Sequence, residues 1–362
     1  MDTHSLPVLI DSFGRRIDYL RVSVTDRCNF RCVYCMPEEG TEVSPRDELL
    51  TTDELIRVVS IAVREGIRKV RLTGGEPLVN KEILRIVRGI AECGVDDLSL
   101  TTNGYLLPEL AQPLKAAGLH RVNISLDTLQ EERFKSLARR GSLSPVLEGI
   151  AASQRAGLGP IKLNCVVMRG LNDDEAVDFA RWTLTEDIHI RFIELMPIRW
   201  NLDDTAPADS RSAHPSLHLI QLKTATTGML SDADMRRRFV AAHETMKLIE
   251  QALGPLEPAE IKTNGPARSY RLRGGRGTVG FISQISSDLC LNCNRIRLTA
   301  DGSLRPCLMS DGEIDLRSAL RAGAADSDLA ELFRGVVATK PERHYLAEGQ
   351  RVTGRGMSQL GG

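Results

Sequence analysis

Six of the eight cysteines fall into two triplets, and that grouping constrains the chain more than any other feature. Cys28, Cys32 and Cys35 form C-x3-C-x2-C near the N-terminus, and Cys290, Cys293 and Cys307 form C-x2-C-x13-C far downstream. Cys93 and Cys165 stand alone, one in a helical pattern and one in a strand pattern, and read as small buried hydrophobes. The opening stretch MDTHSLPVLIDSFG has an acidic residue at position 2 and no basic flank before its short apolar run. Neither a secretory nor a transit leader is therefore expected, and the expected location is cytoplasmic. In that reducing compartment, thiols point to metal or redox chemistry rather than a disulfide framework. Three cysteines mean something different from four. A cubane cluster has four irons, each wanting one external ligand, so three thiolates leave one iron open. Zinc prefers four protein ligands. No His lies from 244 to 343 to complete the second triplet, and the nearest to the first is His4.

The length of 362 residues allows about two domains at ~150 residues each. Basic residues number 47 against 48 acidic, which removes a global electrostatic case for a nucleic acid polymer or a membrane surface. No apolar run approaches the ~18 residues of a membrane span. Aromatics at 4% leave little for stacking on single-stranded nucleic acid.

Strand-like apolar runs occur at 19–24, 69–72, 97–100, 122–126, 161–168 and 188–195, with helical patterns between them. The clearest helix begins at Thr51, which forms a capping-box pair with Glu54; Leu55, Val58, Val59, Ala62 and Val63 then recur on one face. Residues 80–93 and 173–185 read the same way. Six strand-then-helix repeats imply a parallel sheet with right-handed crossovers. Six units are too few for a closed eight-stranded barrel, so the expected fold is a partial (βα)6 TIM-type barrel over residues 12–231, with a doubly wound open sheet as the alternative. Residues 197–231 lack periodicity and read as a long atypical loop. A helix over 232–253, strands at 269–273 and 278–282 and a hairpin from 295–299 and 304–308 suggest a C-terminal α+β domain over 232–362.

Distinctive segments gather at strand ends. The first triplet follows the first strand. Arg71-Leu72-Thr73-Gly74-Gly75-Glu76-Pro77 closes the second, and its glycines would let backbone approach a ligand closely. Thr101 to Gly104 follow the third strand, Ser125 and Asp127 the fourth, and Met196 the sixth. Active-site residues gather at such C-terminal ends in barrels of this kind.

These residues carry a resemblance. C-x3-C-x2-C with an aromatic before its last Cys, together with GGEP, resembles the radical S-adenosylmethionine superfamily. The segments CNFRCVYCMPEEG, RLTGGEPL, TTNGYLL, NISLDTL, KLNCVVMRGLN, RFIELMP and CLNCNRIRLTADGSLRPCL, with a terminal Gly361-Gly362, are similar to the GTP 3′,8-cyclase family, which opens molybdenum cofactor biosynthesis. The resemblance implies two [4Fe-4S] clusters, on Cys28, Cys32 and Cys35 and on Cys290, Cys293 and Cys307. It implies S-adenosyl-L-methionine bound by Tyr34, Gly75, Ser125 and Met196, with Glu76 accepting from its ammonium group. Reductive cleavage would yield a 5′-deoxyadenosyl radical that takes the ribose 3′ hydrogen of GTP, after which the ribose carbon attacks C8 of guanine. No Gly-Lys dipeptide occurs, so there is no P-loop. Gly275, Gly277 and Gly280 form a G-x-G-x-x-G that lies between two short strands and reads as a hairpin turn. The resemblance then assigns the substrate to Arg21, Arg71, Thr101, Lys162, Arg295 and Arg297, the last two also catalytic. Alternation places Arg295 and Arg297 on one strand face. Arg191 is a lesser candidate, with a salt bridge inside the barrel as the bland reading. The terminal Gly361-Gly362 reads either as a frayed end or, as the resemblance implies, as a tail that reaches the active site, and the second reading is preferred. The expected partners are GTP and an electron donor that the sequence does not identify; a homodimer is left open.

Two other readings compete. A radical S-adenosylmethionine peptide maturase also carries auxiliary clusters, but would leave the NRIR segment and the Gly-Gly end unexplained. A zinc or iron–sulfur sensing module would make GGEP and the strand-end pattern accidental.

Overall fold

A computed structural model of the chain describes residues 7–196, 198, 229–261, 265–287, 289–345 and 355–361. Residues 197 and 199–228 of the expected atypical loop lie outside the described residues.

Strand and helix alternate as the sequence suggests: β1 Tyr19–Ser23, α1 Thr52–Arg64, β2 Lys69–Thr73, α2 Ile83–Glu92, β3 Asp97–Thr102, α3 Leu107–Ala116, β4 Arg121–Ser125, α4 Glu131–Ala138, α5 Leu143–Arg155, β5 Ile161–Val167, α6 Ala176–Thr185 and β6 Ile188–Glu194. Then follow α7 Asp232–Arg238, α8 Ala242–Leu253, β7 Leu256–Pro258, β8 Arg268–Leu272, β9 Thr278–Ile282, β10 Arg295–Leu298, β11 Ser303–Arg305, β12 Ile314–Asp315, α9 Leu316–Arg321, α10 Asp326–Ala338 and α11 Met357–Leu360. The Thr51–Glu54 capping box is formed in both directions, which fixes where α1 starts.

The strands form one sheet, in the order β12-β11-β10-β1-β2-β3-β4-β5-β6-β9-β8-β7 among the described residues. β1 to β6 are parallel neighbours in sequence order. The C-terminal domain does not stand apart from them. It sends β10 parallel to β1 at one edge and β9 parallel to β6 at the other, each backed by antiparallel strands.

The sheet has two unlike faces. Alternate residues such as Leu20, Val22, Val70, Leu72, Leu98, Leu100, Leu163 and Ile190 pack under the helices in one hydrophobic core. The intervening residues are polar: Tyr19 and Arg21, Lys69 and Arg71, Ser99 and Thr101, Arg121 and Asn123, Lys162 and Asn164, His189 and Arg191. Parallel strands buried on both faces read as continuous apolar runs. Here every strand alternates, so the inner face is built to hold something polar.

Two expectations need correction. The helix at 232–253 is two helices, because residues 239–241 turn extended and Phe239 bridges Met168 at the end of β5 while Arg169 N–H donates to Arg238 O. Cys93 is only partly buried; it caps the C-terminus of α2 and its thiol donates to Gly89 O. Cys165 is buried as expected. The G-x-G-x-x-G spans the β8–β9 hairpin, where a side chain at 277 would strike Ile188 O.

Candidate functional site

The first triplet leaves the C-terminal end of β1 on a loop pinned from several sides. Arg31 and Val33 N–H groups donate to the carbonyls of Ala138 and Leu137 at the end of α4. Phe30 packs edge-on against Tyr105 and Phe134. The Tyr34 hydroxyl donates to Asp127 at 2.8 Å, and the other Asp127 oxygen accepts from Val166 N–H. Burial lifts the Asp127 carboxyl to about 6. Burial also pushes the Cys28 thiol up to about 11 and Cys35 to about 12, and raises Cys32 well above its usual value, each reinforced by neighbouring negative groups. Such thiols ionise only when a cation pairs with them, which a metal centre provides.

GGEP locks this loop to β2 and β3. The N–H groups of Gly75 and Glu76 donate to Thr25 O and Arg27 O. A side chain at 74 would meet Thr25 O, and one at 75 Arg27 O, each at 2.3 Å. The close approach made by both glycines in the structure is thus to the backbone just before Cys28. Glu76 is buried and accepts from Leu78 N–H, Asn103 N–H and the Thr102 hydroxyl. Burial outweighs these bonds and raises its carboxyl to about 7.

The second triplet lies at the opposite end of the inner face. Cys290 and Cys293 precede β10 and Cys307 follows β11, whereas the first triplet follows β1, which runs parallel to β10. A cavity of about 140 Å³ joins Met196, beyond β6, to Cys290, Cys293 and Cys307. Arg21, Arg71, Arg191, Arg295 and Arg297 line it between those ends. Their register explains the convergence: Arg21 is level with Arg71 on one side and Arg297 on the other, and Tyr19 with Arg295. Burial would raise the Cys293 thiol, but the Arg295 and Lys340 cations prevail and bring it down to about 6. Among the described residues, no three His, Cys, Asp or Glu side chains converge as a single metal ion requires; the second triplet instead rings a cavity.

Several inward polar atoms are buried without a partner: Tyr19 Oη, Arg71 Nη2, Thr101 Oγ1, Asn164 Oδ1 and Arg191 Nε. Orphaned buried donors and acceptors are costly unless a ligand meets them. Arg191 donates to Asn123 at 2.9 Å, so a neutral amide stands where a salt-bridge carboxylate was the bland reading. A side chamber of about 90 Å³, lined by Lys162, His189, Arg191 and Thr278 among others, adjoins the cavity through Arg191. Burial and the neighbouring arginines bring the Lys162 ammonium down to about 6, and burial brings His189 to about 4.

The tail closes on the same place. Leu360 is buried with Ile198 and Met309, and Met196 packs against them. Arg297 donates to the carbonyls of Leu360 and Gly361. Gly362 lies outside the described residues.

The structure therefore brings Arg21, Arg71, Arg295, Arg297 and Met196 onto one cavity with the second triplet, with Lys162 in its side chamber. Thr101 and Ser125 stand at the C-terminal ends of β3 and β4. Sequence reasoning missed Tyr19, Asn123, Asn164 and His189; the signal was the period-two polar residues within each strand.

Two family descriptions match the chain: Radical SAM superfamily over residues 22–183 and Molybdenum Cofactor Synthesis C over 216–346. The GTP 3′,8-cyclase of Heliobacterium modesticaldum is 49% identical over 98% of this chain and 100% of its own length. That of Moorella thermoacetica is 47% identical over 97% and 99%. The chain belongs to the GTP 3′,8-cyclase family. It is thus a radical S-adenosylmethionine enzyme of molybdenum cofactor synthesis. The fold has a relative in Streptococcus suis SuiB bound to S-adenosylmethionine, with a TM-score of 0.53, 13% identity and coverage of 89% of this chain and 69% of that one. Among the described residues of the cyclase, no helix is long and apolar enough to cross a membrane.

Proposed function

We propose that this chain cyclises GTP to (8S)-3′,8-cyclo-7,8-dihydroguanosine 5′-triphosphate. The observation that carries the reading is the arginine-lined cavity with Met196 at one end and three thiols at the other. It supports a nucleotide held between two reactive centres rather than a peptide lying across the surface.

The donor sets suit two [4Fe-4S] clusters: buried or half-buried thiols tied to strand ends, three per site, with cations at the second. Cys28, Cys32 and Cys35 would hold the first cluster, which with S-adenosylmethionine would supply the radical chemistry for hydrogen abstraction at the ribose 3′ carbon. Tyr34, Gly75, Ser125 and Met196 would seat S-adenosylmethionine, and the spare acceptor capacity of Glu76 would take its ammonium group. Cys290, Cys293 and Cys307 would hold the second cluster beside the guanine. Arg21, Arg71, Thr101, Lys162, Arg295 and Arg297 would bind the nucleotide, their cations and hydroxyl satisfying phosphate oxygens that water would otherwise solvate. Arg295 and Arg297 orient the base and ribose, and the tail excludes water. The proposed division is 12–231 and 232–362, in a cytoplasmic enzyme served by a separate electron donor.

Anaerobically reconstituted protein given dithionite, S-adenosylmethionine and GTP should yield 5′-deoxyadenosine and a GTP isomer by mass spectrometry. Deoxyadenosine with GTP unaltered would favour the peptide maturase instead.

A further inference from the structure

Lys340 follows α10 and is 3% exposed. Its ammonium donates to Arg295 O at 2.8 Å and Pro306 O at 2.7 Å. Arg295 lies two residues after Cys293, and Pro306 immediately precedes Cys307. One side chain thus ties together both arms that carry the second triplet. It also lines the cavity that Cys290, Cys293 and Cys307 line.

An ammonium group has three donors, and the two carbonyls use two of them. Among the described residues no carboxylate pairs with Lys340. A buried cation with only neutral partners is unfavourable, because the carbonyls supply hydrogen bonds but no opposite charge. Among the described residues that line the same cavity, the groups able to supply negative charge are the three thiols, once they are ligands.

We propose that Lys340 is the counter-ion of the second cluster, a positioning residue that sets its reduction potential. The proposal rests on the second-cluster reading given above. One-electron reduction adds a negative charge to a cluster already carrying anionic thiolates. A fixed cation stabilises that reduced form more than the oxidised one and so raises the potential. Arg295, beside Cys293, adds to the same field.

The test uses the full chain with Cys28, Cys32 and Cys35 replaced by Ala, so that iron and redox signals come from the second site alone. This background should hold about four irons. Lys340→Gln keeps amide donors but removes the charge; it should shift the midpoint to a more negative potential or lose iron. Lys340→Arg keeps the charge and should retain both iron and midpoint. An unshifted midpoint with full iron in Lys340→Gln overturns the proposal. So does a Lys340→Arg shift as large as that of Lys340→Gln, which would mark a purely steric strap. Should Lys340→Gln fail to fold by circular dichroism, Lys340→Arg must still hold its iron at an unshifted midpoint, and loss of iron or a shifted midpoint in it overturns the proposal. A background that binds no iron overturns the second-cluster reading itself, and the role of Lys340 with it.

Discussion

One Arg297 nitrogen, Nη1, donates to both Leu360 O at 2.9 Å and Gly361 O at 2.6 Å. A guanidinium on the cavity wall thereby ties down the C-terminal tail, and the tail's position depends on the group proposed to bind GTP. Gly361 has φ +68, and a side chain there would meet Thr73 Cγ2 at 2.6 Å. Gly361→Ala is thus strained in backbone and in space, at about 1–3 kcal/mol. It should lower GTP turnover by about tenfold or more, since ~1.4 kcal/mol is tenfold in rate. S-adenosylmethionine binding, monitored by calorimetry, should be retained. Normal turnover would show that the tail only packs.

The two triplets should load independently, because they lie at opposite ends of the inner face and share no loop. Reconstituted protein should contain about eight irons, and replacing Cys290, Cys293 and Cys307 with Ala should leave about four. That variant should still cleave S-adenosylmethionine without altering GTP. Iron and sulfide analysis with product detection checks both halves. Loss of all iron on removing either triplet would mean one shared centre.

Arg191 and Arg297 should separate substrate binding from S-adenosylmethionine binding. Both line the cavity and are buried. Arg297→Ala should abolish GTP turnover while leaving S-adenosylmethionine binding intact. Arg191→Met should weaken GTP by about tenfold or more, at the ~1.5–3 kcal/mol of a charge-assisted hydrogen bond. Equilibrium binding of both ligands to each variant measures this, and unchanged GTP affinity in both would remove the arginines from the site.

The elements that local rules govern were legible in the sequence. The six strands, the Thr51 cap and the triplet spacings depend on residues near one another, and each stands within a few residues of its expected place. The β10–β1 and β9–β6 pairings were not legible. Nothing in 278–282 or 295–298 says which distant strand they join, so the C-terminal domain read as a separate unit when it extends both edges of the sheet. The break at residues 239–241 was hidden for the same reason: Phe239 leaves the helical path to meet Met168. The polar inner face was written plainly in YLRVS, KVRLT, RVNIS and IHIRF. A parallel sheet sets up the expectation of apolar runs instead, which hides a polar inner face.

Lys162 should make both stability and GTP binding depend on pH. Its ammonium is brought from 10.5 to about 6, first by burial and then by Arg191, Arg121 and Arg71. Between those values the unfolded chain holds a proton that the folded chain lacks. Stability of the metal-free chain should therefore rise with pH across that window, by up to about 1.4 kcal/mol per unit from this group. A triphosphate entering the side chamber brings negative charge beside Lys162 and draws the proton back. Between pH 7 and 8.5, where the phosphates are already ionised, GTP binding should take up a proton and weaken by up to about tenfold per unit. Calorimetry in buffers of different ionisation enthalpy reads the proton count directly. Lys162→Met should flatten the pH slope while leaving S-adenosylmethionine binding unchanged. A flat slope in the unmodified chain would place the triphosphate away from Lys162.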